Sequence, residues 1–360
     1  MEIVGIAGAG TMGSAISALF ANAGYEVVLY DISEEALKRA KSRNSHEHLI
    51  ELEKAGLRLR ETLDNIEYTT NFSDLKGCDL LLETIKEDLD IKIQFFKKIA
   101  SICKNAIFAT NTSSYMPSEI SEGAKVSVFL FHFSNPPIEM PLVEISGEGD
   151  VKKLVEYAER IGKKPVVLKK QCRGHVLNRM LCALGISLGY ALKMASPYEI
   201  DASIKLFGFK YGLFEIFDRI GLDISLDVLK SLEEAYPRFS SDFTKDVLKQ
   251  FVESGKLGKK SGEGFYKWAG EEPIAENVEG YPDVTILLGV IINEAFRMIE
   301  EGIADKETIN EVWKLATLSP GIFDLAKLIG YENLISNLEK AYKESGAEIF
   351  KPMIRKDLNF

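Results

Sequence analysis

The 360 residues hold only four histidines. One of them, His132, ends the apolar run VSVFLF and stands in FHFSNPPIEMPLVEI, residues 131–145. A chain that folds back about Ile138 places His132 and Glu144 opposite each other. Pro136, Pro137 and Pro141 cannot donate to a ladder, so they suit the connection between two arms. A carboxylate against one ring nitrogen fixes the tautomer and raises the basicity of the imidazole. The other nitrogen is then left to exchange a proton with a substrate hydroxyl. Asn135, in the turn, can donate to a substrate carbonyl or to a cofactor. A lone histidine on an apolar strand is ordinarily a satisfied core residue. A glutamate at the facing position, inside the equally apolar LVEI, makes the pair an acid-base candidate.

A second constellation opens the chain. GAGTMG supplies Gly8, Gly10 and Gly13, with Thr11 and Met12 between them, after an apolar strand and at the start of an apolar helix. Glycines at this spacing allow a tight turn, close approach of backbone to a pyrophosphate, and close packing of helix on sheet. The phosphates would meet the unpaired N–H groups at the positive end of the helix. A second strand, EVVLYD, ends in Asp31, 18 residues after Gly13. An acid there accepts hydrogen bonds from a ribose diol and repels a 2′-phosphate, and Ile32 stands where an NADP site would offer arginine. NAD is therefore the expected cofactor. The bland alternative is a tight turn that binds nothing.

The elements that must position these residues follow from the apolar pattern. EIVGIAG, EVVLYD, DLLLET, AIFATN and VSVFLF are apolar throughout, as strands covered on both faces are. Their alternation with helical stretches predicts an α/β, Rossmann-type, doubly wound and mostly parallel sheet over residues 1–171. Residues 33–63 exceed a minimal crossover and are expected to form two helices projecting from the sheet. From 172 to 268 helical periodicity takes over. Residues 269–282, AGEEPIAENVEGYP, read as a linker, and helical sequence resumes over 283–360. At an offset of 109 residues Asp201 aligns with Asn310, Gly212 with Gly321, Phe214 with Phe323 and Gly221 with Gly330. Two repeated all-helical domains are therefore expected.

Composition excludes several classes. Hydrophobic content of 46% and charged content of 27% are those of a globular protein. The net charge of −10 opposes a general nucleic-acid binder. The longest apolar stretch, VLNRMLCALGISLGYALKMA, contains Asn178, Arg179 and Lys193, which suits a buried core helix better than a membrane span. Four cysteines without paired or metal-type spacing point to a reduced, cytoplasmic setting and to no metal. Strand-like sequence from residue 2 leaves no room for a signal peptide.

GAGTMG, TNTSS (110–114), HFSNP (132–136), PLVEI (141–145), GHVLNR (174–179) and GKKSGEGFY (258–266), in this order, resemble the L-3-hydroxyacyl-CoA dehydrogenase family. The resemblance covers residues 1–268, and the repeat extends it to the C-terminus. It implies NAD-dependent, reversible oxidation of a 3-hydroxyacyl-CoA to the 3-oxoacyl-CoA, and the charge and apolar pattern above add the expectation of no nucleic-acid or membrane partner. His132 would be the general base and Glu144 its orienting carboxylate, while Ser113 and Asn178 would hold the reacting oxygen and the imidazole region. Asn135 would line the junction of nicotinamide and substrate. Glu87, Lys92 and Asn111 match cofactor-contacting positions, and Lys54, on the 33–63 arm, sits near the family's basic CoA contact. Glu87 and Lys92 also admit a plainer reading as solvated helix charges. The arm carries Glu47, Glu51 and Glu53 where the family is more basic, and His175 replaces a more usual Phe. Two rivals stand beside this reading: a dehydrogenase of a small hydroxy acid of the L-gulonate or carnitine type, and a non-catalytic NAD-binding protein. Relatives pair through the helical domain, so a second copy in one chain implies an internal pseudo-dimer and a monomer, with a homodimer as the alternative.

Overall fold

In the first strand, β1 (Ile3–Ala7), every residue from Val4 onward is buried, and both of its edges are paired. The computed structural model describes residues 2–354 of a chain that divides into two units, Met1–Cys172 and Arg173–Phe360. In the first unit β1 is followed by α1 (Thr11–Asn22), β2 (Glu26–Tyr30), α2 (Glu34–Ser45), α3 (Glu47–Lys54), β3 (Ile66–Thr69) and β4 (Leu80–Glu83). Then come α4 (Leu89–Ala100), β5 (Ile107–Thr110), α5 (Pro117–Ala124), β6 (Val128–Phe133), β7 (Leu142–Ser146), α6 (Lys152–Arg160) and β8 (Lys164–Val167). The strands form one sheet in the order β3-β2-β1-β4-β5-β6-β7-β8. All neighbours are parallel except β6 and β7. This is the doubly wound, mostly parallel α/β sheet that the pattern predicts. Its order reverses between β1 and β4, and ligands of such sheets bind in the crevice beyond the strand ends at that point.

Two strands of this sheet escape the sequence pattern. β3 (IEYT) and β8 (KPVV) are four residues each and lie at the two sheet edges. Edge strands keep polar and charged residues on their open side, so they lack a continuous apolar run.

The 33–63 segment departs from expectation in one respect. It does form two helices, but they do not project. Leu37, Ala40 and Leu52 join α1 in one apolar cluster. Asn44 Nδ2 donates to Ser17 Oγ (3.0 Å), and His48 Nε2 lies 3.0 Å from Ser14 Oγ. The small Ser14 and Ser17 leave room on α1 for the arm, and their hydroxyls need buried partners.

The second unit holds α7 (His175–Ile186), α8 (Leu188–Met194), α9 (Pro197–Lys205), α10 (Leu213–Ile220), α11 (Leu222–Ala235) and α12 (Asp242–Glu253). After residues 254–284 come α13 (Thr285–Glu300), α14 (Lys306–Thr317), α15 (Ile322–Ile329) and α16 (Tyr331–Ser345). α10 and α15 begin and end 109 residues apart, and α9 with α14, and α11 with α16, begin at the same offset. Gly221, at φ 104°, breaks α10 from α11, and Gly330, at φ 89°, breaks α15 from α16 in the same way. Asp201 accepts from the Phe214 amide (3.0 Å), and Asn310 accepts from the Phe323 amide (3.2 Å). The two sets pack through α7 and α13. There the fully buried Arg179 meets Glu294 Oε1 at 2.5 Å and Glu301 Oε2 at 2.7 Å. The run His175–Met194 is long and apolar enough to cross a membrane, and 78% of its apolar window is buried inside the protein. A carboxylate-paired arginine in its first turns belongs to a protein core rather than to lipid.

Candidate active site

The crevice begins at the glycine loop between β1 and α1. Gly8 sits at φ +104°, and a Cβ there would lie 2.5 Å from the Thr84 carbonyl oxygen. A Cβ on Gly13 would lie 1.8 Å from Gly8 O. These two glycines are required by the protein's own packing. At Gly10 a Cβ would meet nothing within 4 Å, so this glycine borders open space at the start of α1, where Thr11 is exposed and Met12 half-buried. The first N–H groups of a helix have no partner within it. Asp31, at the end of β2, accepts from the Ala9 amide through Oδ2 (2.7 Å) and from Ser33 N–H through Oδ1 (2.8 Å). It thus stands directly beside the glycine loop. A glycine opening onto a helix start, with a carboxylate at its flank, fits the pyrophosphate and ribose of NAD.

The hairpin β6–β7 forms in the register that folding back about Ile138 requires, with His132 facing Glu144. His132 is 4% exposed and Glu144 fully buried, and His132 Nδ1 lies 3.2 Å from Glu144 Oε2. A carboxylate can only accept, so pairing with an ionised Glu144 assigns a proton to Nδ1 and leaves Nε2 as the ring nitrogen turned away from Glu144. Nε2 lies 3.3 Å from Ser113 Oγ. TNTSS, which leaves β5, therefore brings its serine to the imidazole. Asn111 Oδ1 accepts from the Phe133 amide (2.9 Å), tying the same segment to β6.

An ion cluster, buried at Glu83 and Lys92 and open to solvent at Glu87, holds this segment in place. Glu87 Oε1 accepts from Thr112 Oγ1 (2.5 Å) and from the amides of Ser113 (3.1 Å) and Ser114 (3.0 Å). Its other oxygen lies 3.1 Å from Lys92 Nζ, which also contacts Glu83 Oε1 at 2.6 Å. The Lys92 side chain is 1% exposed and that of Glu83 fully buried, so a solvated helix charge does not describe Lys92. Burial opposes ionisation of Glu87, but Lys92 and the bonds from Thr112 and Ser114 hold its carboxyl below the usual range. Burial likewise opposes the charge on Lys92, and Glu83 and Glu87 together keep it protonated. Lys92 is thus positioned to support the TNTSS turn.

Glu83 escaped the sequence reading, although it sits in DLLLET as Glu144 sits in LVEI. A glutamate inside a buried strand was the available signal, and it lacked only a histidine opposite. Of the remaining candidates, Asn135 lies in the β6–β7 turn. Asn178 stands in the first turns of α7, in the second unit. Lys54 is the last residue of α3 and is exposed. On that arm Glu51 is taken up by His48 (2.7 Å) and Glu53 by Arg58 (2.9 Å). Among the described residues no group of three or more His, Cys, Asp or Glu could hold a metal ion.

Comparison with known proteins converges on one family. Residues 3–172 match the model for the 3-hydroxyacyl-CoA dehydrogenase NAD binding domain. Residues 174–268 and 284–358 match the model for the 3-hydroxyacyl-CoA dehydrogenase C-terminal domain. A 3-hydroxybutyryl-CoA dehydrogenase of Clostridioides difficile is 35% identical over 283 residues, covering 73% of this chain and 98% of the relative. A probable 3-hydroxybutyryl-CoA dehydrogenase of Deinococcus radiodurans is 33% identical, covering 73% and 99%. The crystal structure of 3-hydroxybutyryl-CoA dehydrogenase from Escherichia coli K12 superposes with a TM-score of 0.83 at 25% identity, over 98% of this chain and 96% of that one. With matches to both family domains and a glycine loop suited to NAD, the chain belongs to the 3-hydroxyacyl-CoA dehydrogenase family.

Proposed function

We propose that this chain interconverts L-3-hydroxyacyl-CoA and 3-oxoacyl-CoA with NAD, and that His132 carries the proton. The observation that supports it best is the His132–Glu144 pair, on the same sheet as the glycine loop. NAD, when bound, supplies the acceptor for the hydride that leaves substrate C3. His132 Nε2 takes the proton of the 3-hydroxyl as that hydride departs, and returns it in the reverse direction. Glu144 stabilises the positive charge that the ring then bears, and Ser113 Oγ holds the substrate oxygen beside Nε2. Asn178, in the second unit, keeps only the role that the family resemblance gives it. Lys54 is assigned to the CoA tail on that resemblance, and the pairing of Glu51 and Glu53 within the arm leaves its charge unopposed by them.

The test is NADH oxidation with acetoacetyl-CoA, run beside NAD reduction by L-gulonate and by carnitine. Rapid turnover of the thioester alone is expected. Turnover confined to a free hydroxy acid would replace this reading with the small-acid one. We further propose that the second helical set takes the place of a partner chain, supported by its packing against the first through Arg179, Glu294 and Glu301. The expected solution mass is then near 40.1 kDa, and a mass near twice that removes the monomer.

A further inference from the structure

The turn that joins His132 to Glu144 is held by a charge that no part of this mechanism uses. Lys163, the residue before β8, is 3% exposed. Its Nζ donates to the carbonyl oxygens of Ile138 (2.8 Å) and Met140 (3.0 Å). No carboxylate pairs with it among the described residues. Both of its partners lie in the short segment between the two arms of the hairpin. Isolated charges are seldom buried, because desolvation is costly unless hydrogen bonds replace the lost water. Here the replacement consists of two main-chain carbonyls of a single turn.

The same turn is fixed from its other sides. Ile138 is buried in the apolar cluster beneath the sheet. The Met140 amide donates to Pro136 O (2.9 Å), and the Lys164 amide donates to Pro141 O (2.7 Å). Asn135 enters this segment, and Glu144 follows three residues after Pro141. The Pro-rich sequence removes main-chain donors from the turn, so its carbonyls need a side-chain donor to fix them. Lys163 supplies one.

We infer that Lys163 is a positioning residue for the reaction, its buried ammonium clamping the turn that sets Asn135, and the His132–Glu144 pair, against the substrate. The inference rests on the proposed function, and its role is indirect: Lys163 touches neither His132 nor Glu144. Burial pushes the ammonium down from 10.5 to about 8. Between those values the unfolded chain binds more protons than the native one, so native stability rises as pH rises from about 8 to 10.5. A residue kept only for stability would be poorly served by this arrangement.

The test compares the full-length wild type with Lys163→Met in NADH-dependent reduction of acetoacetyl-CoA. A misplacement of about 1 Å at a reacting centre costs up to roughly 10²-fold, so kcat should fall by about 10- to 10²-fold. KM for NADH should hold, since the glycine loop is untouched, and the rise in stability above pH 8 should disappear. A kcat within about twofold of wild type overturns the inference, as does a lower melting temperature with kcat per folded enzyme unchanged. If Lys163→Met does not fold, Lys163→Arg carries the test, because it keeps the charge but cannot place a donor where Nζ sits. It should fold and lose kcat, and wild-type kcat in that variant overturns the inference. Were the wild type to turn over a free hydroxy acid and not the thioester, the functional reading would fail. The ratio of variant to wild type on that acid would still decide the role of Lys163.

Discussion

Replacing His132 with glutamine should lower kcat for 3-hydroxyacyl-CoA oxidation by about 10²- to 10⁴-fold, the usual worth of a positioned general base. Glutamine is the informative substitution because its amide N–H can still donate toward Glu144, which is fully buried. Its carbonyl oxygen can hold a hydroxyl but cannot take its proton. NAD affinity should be unchanged, since Gly8, Gly10 and Gly13 lie between β1 and the first turn of α1, and Asp31 at the end of β2, rather than on the hairpin. His132→Ala should lose the same activity and also stability, because a buried carboxylate forfeits its imidazole contact. Steady-state NADH formation, with NAD binding followed by titration, checks both variants. A glutamine variant within tenfold of the wild-type rate would remove His132 from the chemistry.

Replacing Lys92 with methionine should destabilise the protein by about 3–5 kcal/mol, the cost of breaking a buried ion pair from one side. The side chain fits by volume, so the loss is electrostatic. Glu83 would keep Thr110 Oγ1 (2.7 Å) and the Ile85 amide (2.8 Å) but lose the ammonium at 2.6 Å. Burial already pushes the Glu83 carboxyl upward against the pull of Lys92. Without Lys92 it must either protonate or unfold the site. Adding Glu83→Gln should recover part of the loss, because it removes the stranded charge. Activity should fall too, since Lys92 anchors Glu87 and Glu87 anchors the turn that presents Ser113. The urea midpoints of the wild type, the two single variants and the double variant form the cycle that measures this coupling. A Lys92→Met midpoint equal to wild type would mean that the three charges do not act as a cluster.

The two constellations were legible because each is local. The spacing of Gly8, Gly10 and Gly13 between a strand and a helix encodes a tight turn within six residues. The pairing of His132 with Glu144 needs only the period of two along a strand and a proline-rich point of return. The helical repeat was legible for a similar reason, since the same glycines and the same capping acid or amide recur at one offset. The cluster of Glu83, Glu87 and Lys92 was not. Its members come from the end of β4, the loop beyond it and α4, and the groups they hold come from β5 and the segment after it. No period in the sequence links those elements. Neither did the sequence reveal that the 33–63 arm lies on α1, because the partners of Asn44 and His48 are serines some thirty residues earlier.

Composition and periodicity alone thus determined the fold class, the cofactor loop and the facing acid and base, all of which arise from short-range sterics and strand pairing. The tertiary structure decided which charges are buried and what they hold. Lys92 admits the reading of a solvated helix charge until α4 packs against the sheet, and nothing in the sequence marks Lys163 until β8 closes beside β7. The energy of a charge depends on the dielectric and the donors around it, and those belong to neighbours that only the folded chain brings together.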